Sequence, residues 1–411
     1  MATVKPFICI RPNEEVADKV AALPYDVYNR KEASEVVKNN KLSFLNIDRA
    51  ETQFDDSVDT YDEKVYAKAK ELLNSMLADG TFITDADKCY YIYELTMDGR
   101  VQTGLVACSS IDDYQNNIIK KHENTRADKE VDRINHVDTC DAQTGPIFLA
   151  YRANDIIRTI VNNVKATKTV YDFISEDGIN HRVWKIAEKT DVENIETAFL
   201  GINSIYIADG HHRAASAVKV GLKRREENPN YDGTEEFNFF LSVLFPDEEL
   251  MIMPYNRVVK DLNGNTKEEF IEKISKCFSV EKTDMPYAPE IKGNIGMYLE
   301  GEWYKLIAKE EIKVSDPVDG LDVALLQNNL LTPVLGIGDP RVDKRIDFIG
   351  GIRGLKELER RCHTDMKVAF SMYPTSIGEL FDVSDAGKLM PPKSTWFEPK
   401  LRSGLFIHKL S

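Results

Sequence analysis

The chain has 411 residues, 42% of them hydrophobic, and a formal net charge of −15; this length exceeds one ordinary core, so two or three lobes are expected, and the acidity argues against a general nucleic-acid binder. The six cysteines (9, 89, 108, 140, 277 and 362) show no CxxC spacing, and the opening Met1-Ala2-Thr3-Val4-Lys5-Pro6-Phe7 does not resemble a signal peptide. No apolar run approaches the ~20 residues of a membrane span, so the expectation is a reduced, cytoplasmic protein with no membrane insertion.

Residues 4–12 predict a short strand ended by proline, followed by a polar helix over 14–22 and a turn at Pro24-Tyr25-Asp26-Val27. A second helix is expected over 31–39. The spacing of Leu42, Phe44 and Ile47 then suggests a strand over 41–49. Arg11, Asp26 and Arg49 sit near strand ends, where a charged residue is more often a surface group than a ligand. A helix over 58–78 closes at Gly80. Strands over 88–96 and 100–109 flank Asp98-Gly99, the favoured pair for a tight hairpin turn.

The segment 118–133 is dense in polar residues, with His122, Glu123, Thr125 and Arg126 directly after an apolar strand end. A partly desolvated glutamate there has the chemistry of a general base; the simpler alternative is an exposed helix start with Glu123 and Arg126 paired. A helix over 132–143, a buried strand over 144–151 and a hairpin of 169–174 with 181–186 follow.

The most informative stretch is 204–221. Ile205, Tyr206 and Ile207 predict a short buried strand, Asp209-Gly210 a sharp turn, and the small residues from Ala214 to Val220 a helix that packs closely on a sheet. His211, His212 and Arg213 fall in the first helical turn. Their backbone N–H groups lack partners there and the helix dipole is positive, which suits an anion. Three donors at that end also oppose the dipole, an arrangement that stability alone does not favour. Asp209 is placed to cap the helix or to hold a metal ion.

Strands over 237–245 and 250–259 are strongly hydrophobic and expected to be central in the sheet. Residues 263–308 change character: a helix over 267–277, a turn-rich 284–293, then strands over 295–299 and 303–307. The glycines of 332–354 do not have phosphate-loop spacing. The loop Met390-Pro391-Pro392-Lys393-Ser394-Thr395-Trp396-Phe397 is stiffened by proline. Lys393, Ser394 and Thr395 are candidate phosphate contacts, with a plain packing loop as the equal alternative. A final strand is expected over 405–410.

Five motifs are shared as a set with one family: Pro24-Tyr25-Asp26-Val27, Ser43-Phe44-Leu45, Lys121-His122-Glu123-Asn124-Thr125-Arg126, Ala208-Asp209-Gly210-His211-His212-Arg213, and the 390–397 loop followed by Pro399. Together they resemble the DUF1015 family over essentially the whole chain. The central motif is also similar to that of the free-serine kinases of the ParB/sulfiredoxin-like superfamily, which move phosphate between a nucleotide and L-serine and also carry a His-Glu pair upstream. The resemblance implies an α/β fold (an α+β mixed sheet) with a ParB/sulfiredoxin-like core, inserted β-hairpins and an appended smaller lobe. The expected divisions are 1–260 for the main region, 261–310 for the lobe, and 311–411 for a segment returning to the main region. The implied activity is phosphotransfer between ATP or ADP, with Mg²⁺, and L-serine or O-phosphoserine.

In that reading Glu123 and Asp209 are catalytic, and Asp209 also contacts the metal. Gly210, His211, His212, Arg213, Arg126, Lys393, Ser394 and Thr395 hold phosphate or nucleotide, and His122 and Thr125 contact the substrate. The main alternative is a ParB-like nucleotide- or DNA-binding module without kinase activity; the acidity and the lack of a basic helix-turn-helix weigh against DNA. A hydrolase using His122, His211 and His212 as metal ligands is disfavoured because successive helical side chains diverge. A non-catalytic scaffold is the remaining possibility.

Overall fold

The computed structural model describes residues 1–125 and 127–411, without the side chains of Asp128 and Lys129. The architecture is mixed α/β. The chain divides into two compact units, residues 1–250 with 399–411, and residues 251–398. The stretch 261–310 therefore lies inside the second unit, and of the C-terminal 311–411 it is residues 399–411 that belong to the first. No described helix is long and apolar enough to cross a membrane, and the six cysteines are all free thiols.

The first unit is built on a nine-stranded mixed sheet. Its order is Ile119–Lys120, Ile205–Asp209, Ile147–Tyr151, Phe239–Pro246, Arg100–Ser110, Tyr90–Met97, Asn180–Ile186 and Tyr171–Ile174, with Val4–Lys5 pairing onto Arg100–Ser110. The central hairpin turns where Asp98 and Gly99 both adopt positive φ, 51° and 79°. That is the backbone of the primed turns whose twist matches antiparallel strands. Ile92, Leu105, Leu149, Ile205, Ile207, Phe240 and Leu244 fill the main core from the sheet.

The helix His211–Glu227 packs Ala214, Ala217 and Val218 against that core. Gly221 on the same helix is obligatory, since a Cβ there would lie 2.4 Å from the Phe237 carbonyl. A second sheet of this unit takes the C-terminal strand Ile407–Lys409 between Cys9–Pro12 and Ala142–Gln143. The return of the last thirteen residues is thus fixed by backbone pairing.

Two expected strands take another form. Over 41–49 the chain makes a helical turn, Leu45–Asp48, with Leu45, Asn46, Ile47 and Asp48 all buried rather than alternating. Its polar backbone is satisfied locally: the Ser43 hydroxyl accepts from the Leu45 N–H, and the Asn46 amide donates to the Ser43 and Lys41 carbonyls. The run over 250–259 breaks at Pro254 into Ile252–Met253 and Tyr255–Val259, both in the second unit.

The second unit carries a six-stranded antiparallel sheet in the order Phe278–Thr283, Glu302–Ala308, Asn294–Leu299, Val368–Ser371, Tyr255–Val259 and Ile346–Gly350. Two of its glycines allow close packing. A Cβ on Gly350 would stand 2.6 Å from the Trp396 indole, and one on Gly351 would stand 2.8 Å from the Pro254 ring.

Candidate functional site

The two polar motifs meet because of strand order. Ile119–Lys120 pairs in parallel with the elbow strand Ile205–Asp209, Ile119 opposite Ile205 and Lys120 opposite Tyr206. Parallel neighbours end at the same edge of a sheet, so His122-Glu123 and Asp209-Gly210-His211 emerge side by side. On its other flank the elbow strand is antiparallel to Ile147–Tyr151, and the register shifts between Ile207 and Asp209. Such a bulge re-aims the residues at a strand end.

Gly210 then takes φ 92° and ψ 32° and becomes the N-cap of the 17-residue helix His211–Glu227 without any side-chain cap. A left-handed turn that costs other residues about 1–2 kcal/mol costs glycine nothing. A Cβ at this position would also sit 3.1 Å from Arg213 Nε. The guanidinium thus lies over the bare glycine, and its Nη1 donates to the Pro146 carbonyl at 2.5 Å.

Asp209 is the charged centre. Its Oδ1 accepts the Gly210 N–H at 2.7 Å and its Oδ2 accepts Lys400 Nζ at 3.0 Å. Burial alone would raise this carboxyl, but the charges of Lys400 and Arg213 and these two hydrogen bonds hold it well below the usual carboxylate range. Both oxygens are engaged, and among the described residues no group of three or more His, Cys, Asp or Glu could hold a metal. The set does not fit a resident Mg²⁺; Lys400 and Arg213 supply positive charge at Asp209.

Behind the elbow the His122 and His211 rings meet edge to face, their centroids 4.5 Å apart. Burial pushes the pKa of His122 down to about 4. Burial and the neighbouring His122 push His211 well below its ordinary value. Both are therefore neutral near pH 7. His211 Nδ1 lies 4.0 Å from Glu123 Oε2, and Glu123 keeps 42% of its side chain exposed. The buried Nε2 of His211 has no hydrogen-bond partner among the described residues.

The Thr125 hydroxyl donates to Glu130, which also pairs with Lys219 on the elbow helix. The His212 carbonyl accepts the Ser216 hydroxyl at 2.7 Å, and that hydroxyl also donates to the Glu130 carbonyl at 3.1 Å. The elbow helix is in this way tied to the helix Ala127–Cys140, which begins earlier than the periodicity over 132–143 suggests. Arg126 lies outside the described residues.

The 390–397 loop is in the second unit. Lys393 has φ 60° and its carbonyl accepts from Arg257 Nη2 at 3.0 Å. Ser394 is buried, donating to the Pro391 carbonyl at 2.6 Å and accepting from Thr375 at its own carbonyl. Thr395 follows in the same loop. These contacts describe a braced loop.

Sequence reasoning did not find Lys400, which lies 191 residues from Asp209 behind a proline-rich loop. It also treated Arg49 as a surface group. In fact Arg49 donates to the Tyr25 and Tyr28 carbonyls at 3.0 and 2.5 Å and pairs with Glu51 at 2.5 Å, so it braces the Pro24–Val27 turn. Arg11 is likewise internal, paired with the buried Asp85.

A family described as protein of unknown function (DUF1015) matches residues 4–324. No curated protein matches the chain. Among solved structures, a free serine kinase variant in complex with AMP is 14% identical, with a TM-score of 0.37 over 74% of this chain and 92% of that one. A conserved hypothetical protein from Pyrococcus furiosus is 15% identical, with a TM-score of 0.35 over 75% of this chain and 96% of that one. C-terminally truncated SbnI from Staphylococcus aureus is 10% identical, with a TM-score of 0.38 over 74% of this chain and 87% of that one.

Proposed function

The chain belongs to the DUF1015 family, and from the elbow of this member we propose a cytoplasmic small-molecule phosphotransferase that moves a phosphoryl group between ATP or ADP and the hydroxyl of L-serine, in either direction. The observation that carries the reading is the ionised Asp209 held between Lys400 and Arg213 at the uncapped start of the elbow helix. Phosphoryl transfer asks mainly for positioning and for fixed positive charge around the moving group. The N–H groups of the first helical turn and the Arg213 guanidinium supply that charge. Lys400 holds Asp209 ionised beside it. The sequence resemblance of this motif to that of free-serine kinases points to the same chemistry.

Glu123 takes the proton of the acceptor hydroxyl as that oxygen bonds to phosphorus and the nucleotide oxygen leaves. Its side chain is 42% exposed and its Oε2 stands 4.0 Å from His211 Nδ1. His122 and Thr125 act through their neighbours, one backing His211 and the other holding Glu130. Mg²⁺ enters as the counter-ion of the nucleotide, held largely by phosphate oxygens and water.

The test is incubation with Mg²⁺, ATP or ADP and L-serine, following O-phosphoserine by mass spectrometry, with Asp209→Asn in parallel. Product from the wild type alone supports the reading. Nucleotide binding without product in either direction would favour a ParB-like binding module.

A further inference from the structure

A second depression of the first unit opens beside the elbow. A cavity of about 250 Å³ is lined by Tyr25, Asp48, Arg133 and His136 among others. A narrower one of about 30 Å³ shares those four residues and adds Arg213. The wall carrying Tyr25 is the turn that Arg49 braces.

The shared residues include two buried ions of opposite sign. Arg133 is 8% exposed and Asp48 4% exposed. Arg133 meets Asp132 through Nε at 3.0 Å and Nη2 at 2.9 Å, and its guanidinium lies 3.9 Å from the centroid of the Tyr25 ring. The Nη1 edge is the one that Asp132 does not engage. Asp48 accepts the Thr144 hydroxyl at 3.0 Å through Oδ1 and, among the described residues, forms no ion pair. The titratable groups facing it from the helix Ala127–Cys140 are Arg133, Cys140 and His136, whose buried ring donates through Nε2 to the Ile47 carbonyl at 3.1 Å. Arg133, whose charge acts on Asp48, is already engaged by Asp132, and a buried carboxylate with no cation paired to it is costly. Beside a cavity, an ammonium group from a ligand is what would relieve it.

Size narrows the ligand further. The larger cavity is smaller than the roughly 300–1,000 Å³ of pockets for drug-sized molecules, so it does not suit a nucleotide. The narrow one has room for a water or two, or for a hydroxymethyl arm.

We infer that this chamber is the acceptor subsite, which takes a small amino acid by its two charges, the α-carboxylate at Arg133 and the α-ammonium at Asp48. Its hydroxyl-bearing side chain lies in the narrow cavity toward Arg213. The inference rests on the phosphotransfer reading for what happens to that hydroxyl, and on the chamber alone for what binds.

The test is calorimetric titration of the full chain, without nucleotide, with L-serine, ethanolamine (which lacks the carboxylate) and 3-hydroxypropionate (which lacks the ammonium). L-serine should bind at least about 10-fold more tightly than either analogue, as expected for one lost charge-assisted hydrogen bond. Asp48→Asn keeps the shape of the side chain and its bond to Thr144. It should bring L-serine down to the affinity of 3-hydroxypropionate while ethanolamine stays weaker still, and a melting curve checks that the variant is folded. An analogue that binds as well as L-serine, equal weakening of all three ligands in Asp48→Asn, or no binding of L-serine would each overturn the inference. Serine binding with no phosphoryl transfer from ATP or ADP would sink the phosphotransfer reading and leave the zwitterion site standing. Ethanolamine turned over as fast as serine would do the reverse.

Discussion

Replacing Lys400 by methionine (Lys400→Met) removes the cation 3.0 Å from Asp209 Oδ2 while keeping an apolar stem of similar length. A hydrogen bond to a charged group contributes roughly 1.5–3 kcal/mol. Asp209 keeps 34% of its side chain exposed, so screening lowers the expected loss to about 1–2 kcal/mol. In a unit of this size that corresponds to a fall in Tm of about 2–8 °C.

The pH dependence has a definite sign. The pKa of Asp209 is lowered in the folded protein, from about 3.9 in the unfolded chain. The contribution of the pair is therefore fully present above about pH 4 and disappears as the pH falls through the folded value. Circular-dichroism melts should show a constant gap between wild type and Lys400→Met from about pH 5 to 8, narrowing in stronger acid. In an Asp209→Asn background the same substitution should cost little, because the partner charge is already gone. Equal losses in both backgrounds, or a gap that widens in acid, would refute the pairing as the source of the effect.

Three further outcomes are expected. Glu123→Gln should lower turnover by about 10²- to 10⁴-fold, the usual weight of a general base, with an unchanged melting curve; steady-state rates decide it. Gly210→Ala should destabilise by about 1–2 kcal/mol through its left-handed backbone and weaken nucleotide binding by displacing Arg213, and equilibrium titration of ATP or ADP reads the second effect. His122 is buried, with its pKa down to about 4, so the unfolded chain takes up the proton first. Stability should be flat above about pH 6.5 and fall as the pH drops toward 4, by on the order of 2 kcal/mol between pH 7 and 5. His122→Gln should show a urea midpoint less sensitive to that change than wild type.

The elbow was legible because each of its parts has a local signal: a short apolar run, a glycine that can turn left-handed, and small residues at helical spacing. The Asp98-Gly99 hairpin was legible for the same reason. What joins the polar motifs is not local. His122 and His211 meet only because a two-residue strand, Ile119–Lys120, lies parallel to Ile205–Asp209, and a strand of that length leaves no periodicity to read. Lys400 reaches Asp209 through the pairing of Ile407–Lys409 with Cys9–Pro12 and Ala142–Gln143, a return that no local pattern announces.

The turn at Leu45–Asp48 looked like a strand because Leu42, Phe44 and Ile47 are apolar. Asn46 and Asp48 are buried too: the Asn46 amide donates to the Ser43 and Lys41 carbonyls, and Asp48 Oδ1 accepts the Thr144 hydroxyl. The burial of Asp48 and Arg133 has no local signal either, because side chains that enclose them, Thr144 and Tyr25, come from segments about a hundred residues away.

Transfer of phosphate to a free hydroxyl metabolite is the central functional claim, and a radiolabelled transfer assay measures it most directly. Wild-type protein with Mg²⁺, γ-labelled ATP or β-labelled ADP, and L-serine should yield labelled O-phosphoserine that Asp209→Asn and Glu123→Gln fail to produce. The absence of label in serine from either donor, together with no nucleotide formed from O-phosphoserine in the reverse direction, would contradict it.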